Sequence, residues 1–271
     1  MNLMGLAIAI VSGAVAGALA YMIVGAPKDD RGKFSVTFVV IFIVIYALSR
    51  IYFLPHANGW YEVKRVEAEL QGYASFRAVK KYDSKVYQAM LDDIRKVVME
   101  GGSRDQALGA ARIHMIALVK ARLPTASNES VAAYMDIMMA ELGVLEKKGG
   151  DSCYRFLFPQ SGAPLDFSGQ FSKKMQKDDL DALAEVIESS ASDPQPLPDQ
   201  EEVVAKLQVV YSRMVEEYGE EVGLLDNAAG VTGEADKRRI CDMTGSLYDK
   251  ILAQPAHESG KILRFMMSQV P

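Results

Sequence analysis

An all-α chain is what this sequence predicts, with an N-terminal two-helix transmembrane hairpin followed by a helical-bundle soluble domain. Three observations carry that expectation. Residues 3–24 run without a charge, and residues 34–54 hold only one, Arg50. Roughly 20 apolar residues of helix cross a bilayer core, so each stretch can span once. Beyond residue 60 no such stretch recurs; apolar residues fall at helical spacing between Gly, Pro and Ser/Asp punctuation, with no strand-like alternation.

The first span is built on small residues. Gly5, Ala9, Gly13 and Gly17 recur every four positions, with Ser12, Ala16 and Ala20 in a second row beside them. Small residues at that spacing let backbones approach closely, so the row reads as a helix-packing face for the second span, a second copy of the chain, or a partner's helix. The second span is bulky (Val39, Val40, Ile41, Phe42, Ile43) and follows after a short loop, residues 25–33. The tail before the first span has no Lys or Arg, and its apolar run exceeds a signal peptide's core, so retention is expected rather than cleavage. Lys28, Arg31 and Lys33 crowd the loop, whereas Arg50, Lys64 and Arg65 are spread along the far side. Basic density marks the cytoplasmic side. The soluble domain is therefore expected to be periplasmic or otherwise extracytoplasmic, with the cytoplasm as the alternative. Tyr52, Trp60 and Tyr61 suit an interfacial aromatic belt.

The expected organisation is an anchor over 1–60, a helical domain over 61–191, a Pro-rich linker over 192–199, and a C-terminal helical subdomain over 200–271 packing on the preceding one. A juxtamembrane helix over 62–81 is interrupted near Gly72. Asp83 opens a helix striped by Val86, Met90, Ile94, Val97 and Val98, ended by Gly101 and Gly102. Ser103 and Gln106 have capping-box spacing, before a helix whose apolar side is Ala107, Ala110, Ile113, Ala117 and Leu118, closed by Pro124. Ser127 or Asn128 starts the next, with Val131, Met135, Met138, Leu142 and Leu145, stopped by Gly149 and Gly150. The aromatic-rich segment 151–169 is expected to be non-helical and tucked against helices. A helix over 177–189 follows. Pro194, Pro196 and Pro198 forbid helix through the linker. Asp199 caps a helix bearing Val203, Leu207, Val210, Met214 and Tyr218; a Gly-rich joint over 227–233 leads to one carrying Ile240, Leu247 and Ile251; Pro255 precedes a short last helix.

Charge narrows the partners. Four of the 30 basic and two of the 35 acidic residues fall in 1–60, leaving a body of net charge −7. Such a body repels phosphate backbones, so no nucleic acid is expected. Cys153 and Cys241 stand alone, without a CxxC or a neighbouring His, which suits one disulfide in an oxidising compartment or two buried thiols in the cytoplasm, and supplies too few ligands for zinc.

The sequence contains no phosphate-binding loop, HExxH or GxSxG. The acids Asp92–Asp93 and Asp178–Asp179–Asp181 read as solvated helix faces. His56 reads as interfacial, His114 as a boundary residue and His257 as belonging to a helix start. No catalytic residue, cofactor or metal is expected. The functional expectation is a membrane-anchored helical protein-interaction module, an accessory subunit of an envelope complex or an immunity-type binding protein. Its partners would be the bilayer, another protein, and a second copy through the first span. The alternative is a tethered hydrolase or transferase acting on lipid or cell-wall material, which would need His114, His257, Tyr154 or an acidic pair to converge.

Overall fold

The computed structural model describes residues 3–25, 31–49, 54–159 and 169–269. Among them are twelve α-helices and no strand. The chain divides into two compact units, one made of 1–68 and 90–111, the other of 69–89 and 112–271.

In the first unit α1 (Leu3–Val24) packs along α2 (Arg31–Leu48). Gly13 lies against Phe42 and Gly17 against Phe38, so the helices run antiparallel. The row that disappears between them is Ser12, Ala16 and Ala20, at most 2% exposed. Gly13, Gly17 and Ala9 are half-buried beside it, and Gly5 lies outside the described side chains. A Cβ built on Gly13 or Gly17 would meet the facing ring at 3.9 or 3.8 Å, ordinary contact distance, so neither glycine is demanded by backbone approach. On α2 the rings of Phe38, Phe42 and Tyr46 stack at 6.1 and 5.7 Å, forming the facing ridge.

Among the described residues no helix is long and apolar enough to cross a membrane. What the fold shows of the expected two-span anchor is therefore a helical hairpin. Arg50, Tyr52, His56 and most of the basic loop, including Lys28, fall outside the described side chains.

α3 (Leu54–Leu70) buries Gly59, Val63, Val66 and Leu70 along one side, and Gly59 faces Met99 near the end of α5 (Ser84–Met99). α6 (Arg104–Arg122) begins with a reciprocal cap: Ser103 N–H donates to Gln106 Oε1 at 2.8 Å and Gln106 N–H to Ser103 Oγ at 3.2 Å. The buried side of α6 is Ala107, Ala111, Met115, Leu118 and Val119, whereas Ile113 and Ile116 are exposed. The apolar side expected from sequence was thus rotated by about one position, because Ala110, Ile113 and Ala117 make an equally regular but weaker row.

The second unit is organised around α7 (Asn128–Glu146), which packs against α8 (Gly150–Leu157), α9 (Lys173–Ser192), α11 (Glu234–Leu252) and α12 (Ala256–Ser268). Ser127 caps it, accepting from Ser130 N–H at 3.1 Å, and Ser189 of α9 joins the same group through Ser127 N–H (3.2 Å) and Ser130 Oγ (2.9 Å). α4 (Ala74–Tyr82) lies on α9. Asp83 stands at the N-cap position of α5, its carbonyl accepting from Tyr87 N–H at 3.0 Å, and its carboxylate accepts from Arg122 at 2.5 Å. α12 approaches α7 so closely that a Cβ on Gly260 would stand 2.1 Å from Asn128 O. Only glycine fits there.

Two boundaries moved. The segment expected to be non-helical from 151 begins with α8, an eight-residue amphipathic helix that buries Cys153 and Tyr154. Pro164, Phe167 and Ser161 of that segment lie outside the described residues. α9 starts a turn earlier than expected because Ser172 caps it, accepting from Met175 N–H at 3.2 Å. Residues 193–199 of the Pro-rich segment lie outside any helix, Ser192 being the last residue of α9, and Asp199 caps α10 (Gln200–Tyr218) through Glu202 N–H at 2.9 Å. A run of tight helical turns, Gly219–Gly230, kinked at Asn227, joins α10 to α11.

Candidate functional site

Four features of the second unit have chemistry beyond ordinary packing. The first is the disulfide. Cys153 on α8 and Cys241 on α11 are bonded, and both sulfurs sit in a core cluster with Leu142, Leu145, Tyr154, Met214 and Met243. α8 and α11 meet tightly, since a Cβ on Gly150 would lie 3.0 Å from that of Arg238. Tyr154 beside it is fully buried and donates its hydroxyl to Ala228 O at 2.7 Å.

The second is a buried acid. Glu141 on α7 is 5% exposed, and burial followed by the charge of Asp179 pushes its carboxyl up to about 8, against an opposing pull from Arg112. Asp179 on α9 is raised to about 6 by burial. Tyr134, two turns before Glu141 on the same side of α7, is raised by burial and then by both acids. Sequence reading grouped Asp179 with its neighbours. Asp178 and Asp181 do face water, paired one helical turn away with Lys174 and Lys177, while Asp179 between them turns toward α7. The Lys-x3-Asp pairs were visible; which of three clustered acids points inward was not, since α9 buries Ala182, Leu183, Val186 and Ile187 only beyond it.

The third is Arg264 on α12, 3% exposed. Its guanidinium donates to Pro124 O at 3.0 Å, to Asn128 Oδ1 at 2.9 Å and to Pro196 O. Burial lowers its affinity for a proton relative to free arginine. One side chain thereby clamps the turn before α7, the start of α7 and the Pro-rich linker, whose Gln195 N–H also donates to Thr125 O at 2.8 Å. Asn128 completes the cluster through His257 Nδ1 at 3.1 Å, and His257 reaches Glu129 at 3.7 Å.

The fourth is the outer side of α10. Its inner side (Val203, Val210, Met214, Tyr218) is buried, yet Val204, Tyr211 and Val215, spaced seven and four residues apart, form a second apolar line that is 36%, 54% and 42% exposed. Val209 is exposed elsewhere on the helix. Lys206 on the same helix pairs with Glu202 at 2.8 Å and with Glu258 of α12, which fixes α10 on the unit.

The groups whose convergence would mark an enzyme stand apart. His257, at the start of α12, meets the first turn of α7 at Asn128, whereas Tyr154 packs with Leu142 and Leu145 at the other end of α7, about 20 Å along the helix axis. His114 is on α6 and half-buried. No group of three or more His, Cys, Asp or Glu that could hold a metal occurs among the described residues. An open groove of about 690 Å³ runs beside Glu146, Glu234, Arg238, Arg239 and Asp242. Most of its charges already pair, Arg239 with Asp242 at 3.2 Å and Arg238 with Glu234 at 3.5 Å. No protein-family model, curated protein or solved structure matches the chain.

Proposed function

We propose that this chain is a membrane-anchored, extracytoplasmic protein-interaction module, an accessory subunit of an envelope complex or an immunity-type binding protein. The observation that carries the binding role is the exposed apolar line Val204–Tyr211–Val215, on a helix whose other side is already committed to a core. Scattered exposed apolar residues are ordinary on a protein surface; three in register on one helix match the way an amphipathic face engages a partner.

The anchor is supported by chemistry rather than by homology. The anchor reading rests on the sequence of residues 3–24, 22 residues without a charge, which as helix run about 33 Å at 1.5 Å per residue. The exposed large apolar side chains of α1 and α2, among them Val11, Met22, Ile23, Val36 and Ile43, are 43–72% exposed, an arrangement that lipid favours and water does not. An extracytoplasmic body is supported by the disulfide, which reducing compartments disfavour.

A photocrosslinking residue at position 211, in cells making the protein at native level, tests the binding role. A single dominant protein adduct, absent with the probe at Arg213 on the opposite side of the helix, is the expected result. Equal labelling from both positions would remove the proposal. One observation favours the enzyme reading, namely the split ionisation of Glu141 and Asp179, a pattern shared with acid–base pairs. It ranks second because Glu141 is 5% exposed, leaving a substrate no approach.

A further inference from the structure

We propose that the outer side of α3 is a lipid-docking shelf, with Trp60 and Tyr61 seated at the glycerol level of the bilayer and Lys64 and Arg65 reaching lipid phosphates. The proposal deepens the anchor reading and rests on it. Along α3 the residues divide cleanly. Gly59, Val63, Val66 and Leu70 are turned inward, whereas Trp60 and Tyr61 are 64% and 60% exposed. One turn further on, Lys64 and Arg65 lie on the same outer side, their side chains each 55% exposed.

Two large aromatics bare to water on one helix face, followed by two cations, are poorly explained by a soluble surface. They fit the headgroup layer, where a ring's apolar body and polar tip are both satisfied and a long basic stem can rest on apolar surface with its charge outward. The position in the chain agrees, since α3 begins at Leu54, just beyond α2, which ends at Leu48.

The charges nearby must be compatible with this. Lys64 pairs with Glu67 at 2.9 Å and Arg65 with Glu62 at 2.8 Å. Pairs this exposed contribute about 1 kcal/mol or less, so exchanging a carboxylate partner for a lipid phosphate costs little. Because these acids offset the two bases, the occupant is the phospholipid headgroup layer in general, with no requirement for an anionic lipid.

Trp60 is the only tryptophan in the chain, so its fluorescence reports this face alone. The full-length protein would be reconstituted into phosphatidylcholine vesicles containing lipids brominated either near the glycerol or near the chain terminus, and recovered by flotation. We expect quenching from the shallow bromines to exceed that from the deep ones, with little quenching by iodide in the water. The double substitution Lys64→Glu and Arg65→Glu should lower shallow quenching by about twofold while the protein still floats, since two headgroup-level anchors are lost.

Vesicle-bound protein in which Trp60 is open to iodide and unaffected by bromolipid would overturn the shelf alone. So would a Trp60 shielded from both quenchers, which would mean that protein covers this face. Failure to float would overturn the anchor reading and the shelf together.

Discussion

Glu141 holds its proton to about pH 8 in the folded chain, against an ordinary value near 4.5, and this ties stability to pH with a definite sign. Below the lower value both states are protonated and the group contributes nothing. Between the two the unfolded chain releases a proton that the folded chain keeps, so stability falls as pH rises and is lowest above the folded value. Glu141→Gln removes the acid while keeping its shape. It should stabilise the protein above about pH 8 by on the order of 3 kcal/mol and change little at acid pH, read from denaturant midpoints across pH. A weaker fall between the ordinary carboxylate range and about pH 6 should persist in the variant, from Asp179. Equal pH profiles for the two proteins would contradict the burial of this acid. Arg264 presents the opposite case, a buried cation satisfied by carbonyls and an amide. Arg264→Met keeps the volume but strands Pro124 O, Asn128 Oδ1 and Pro196 O. It should cost about 2–4 kcal/mol and speed proteolysis within 193–199, where the linker loses its clamp.

Two helix contacts made through glycine behave differently, and the sequence displays only their likeness. At Gly260 the backbone of α7 occupies the place where a Cβ would go. Gly260→Ala must push α12 off α7 and is expected to cost about 3 kcal/mol or more, read as a fall in thermal midpoint. In α1 the regular Gly13–Gly17 spacing looked the more demanding feature, yet both positions have room for a methyl group and the tightest row is Ser12, Ala16 and Ala20. Gly13→Ala and Gly17→Ala should therefore leave the hairpin intact, while Ala16→Leu should part the helices, measured as helicity retained on heating in one detergent. The helices themselves were legible wherever a cap and a stripe agreed: Ser103 with Gln106, Ser127, and Asp199 with Glu202 all cap as their spacing foretold. Reading failed where one local signal stood alone. The aromatics after Gly150 suggested a tucked loop, but Cys153 and Tyr154 lie on one side of a short helix that gains its stability from the core it enters. The candidate site was less legible still, because Glu141, Asp179, Arg112 and Tyr134 come from three helices, and nothing local in the sequence brings them together.

At the scale of the whole chain, the consequential link is the one between Cys153 and Cys241, 88 residues apart. With only two cysteines the pairing needs no deduction from spacing; what it encloses is visible only in the fold. The closed loop contains α9, the Pro-rich linker and α10, so the bond joins the two stretches of chain on either side of the linker. On the chain-entropy account a loop of this length adds about 4 kcal/mol by restricting the unfolded chain, a large share of the roughly 5–15 kcal/mol that folded domains possess. Replacing both cysteines with alanine should lower the unfolding free energy by about that amount, with the loss confined to transitions reporting the second unit. Burial adds a kinetic expectation. Both residues are at most 1% exposed, so a reductant in native buffer must wait for local opening, and reduction should accelerate sharply once denaturant opens the unit. Thiol trapping then links the fold to the compartment. Protein taken directly from the cells that make it into a maleimide under denaturing conditions should show no free thiol, and after prior reduction it should show both. Two free thiols without reduction would mean that the body resides where this bond is not made, and the extracytoplasmic placement would be lost along with its stabilising contribution.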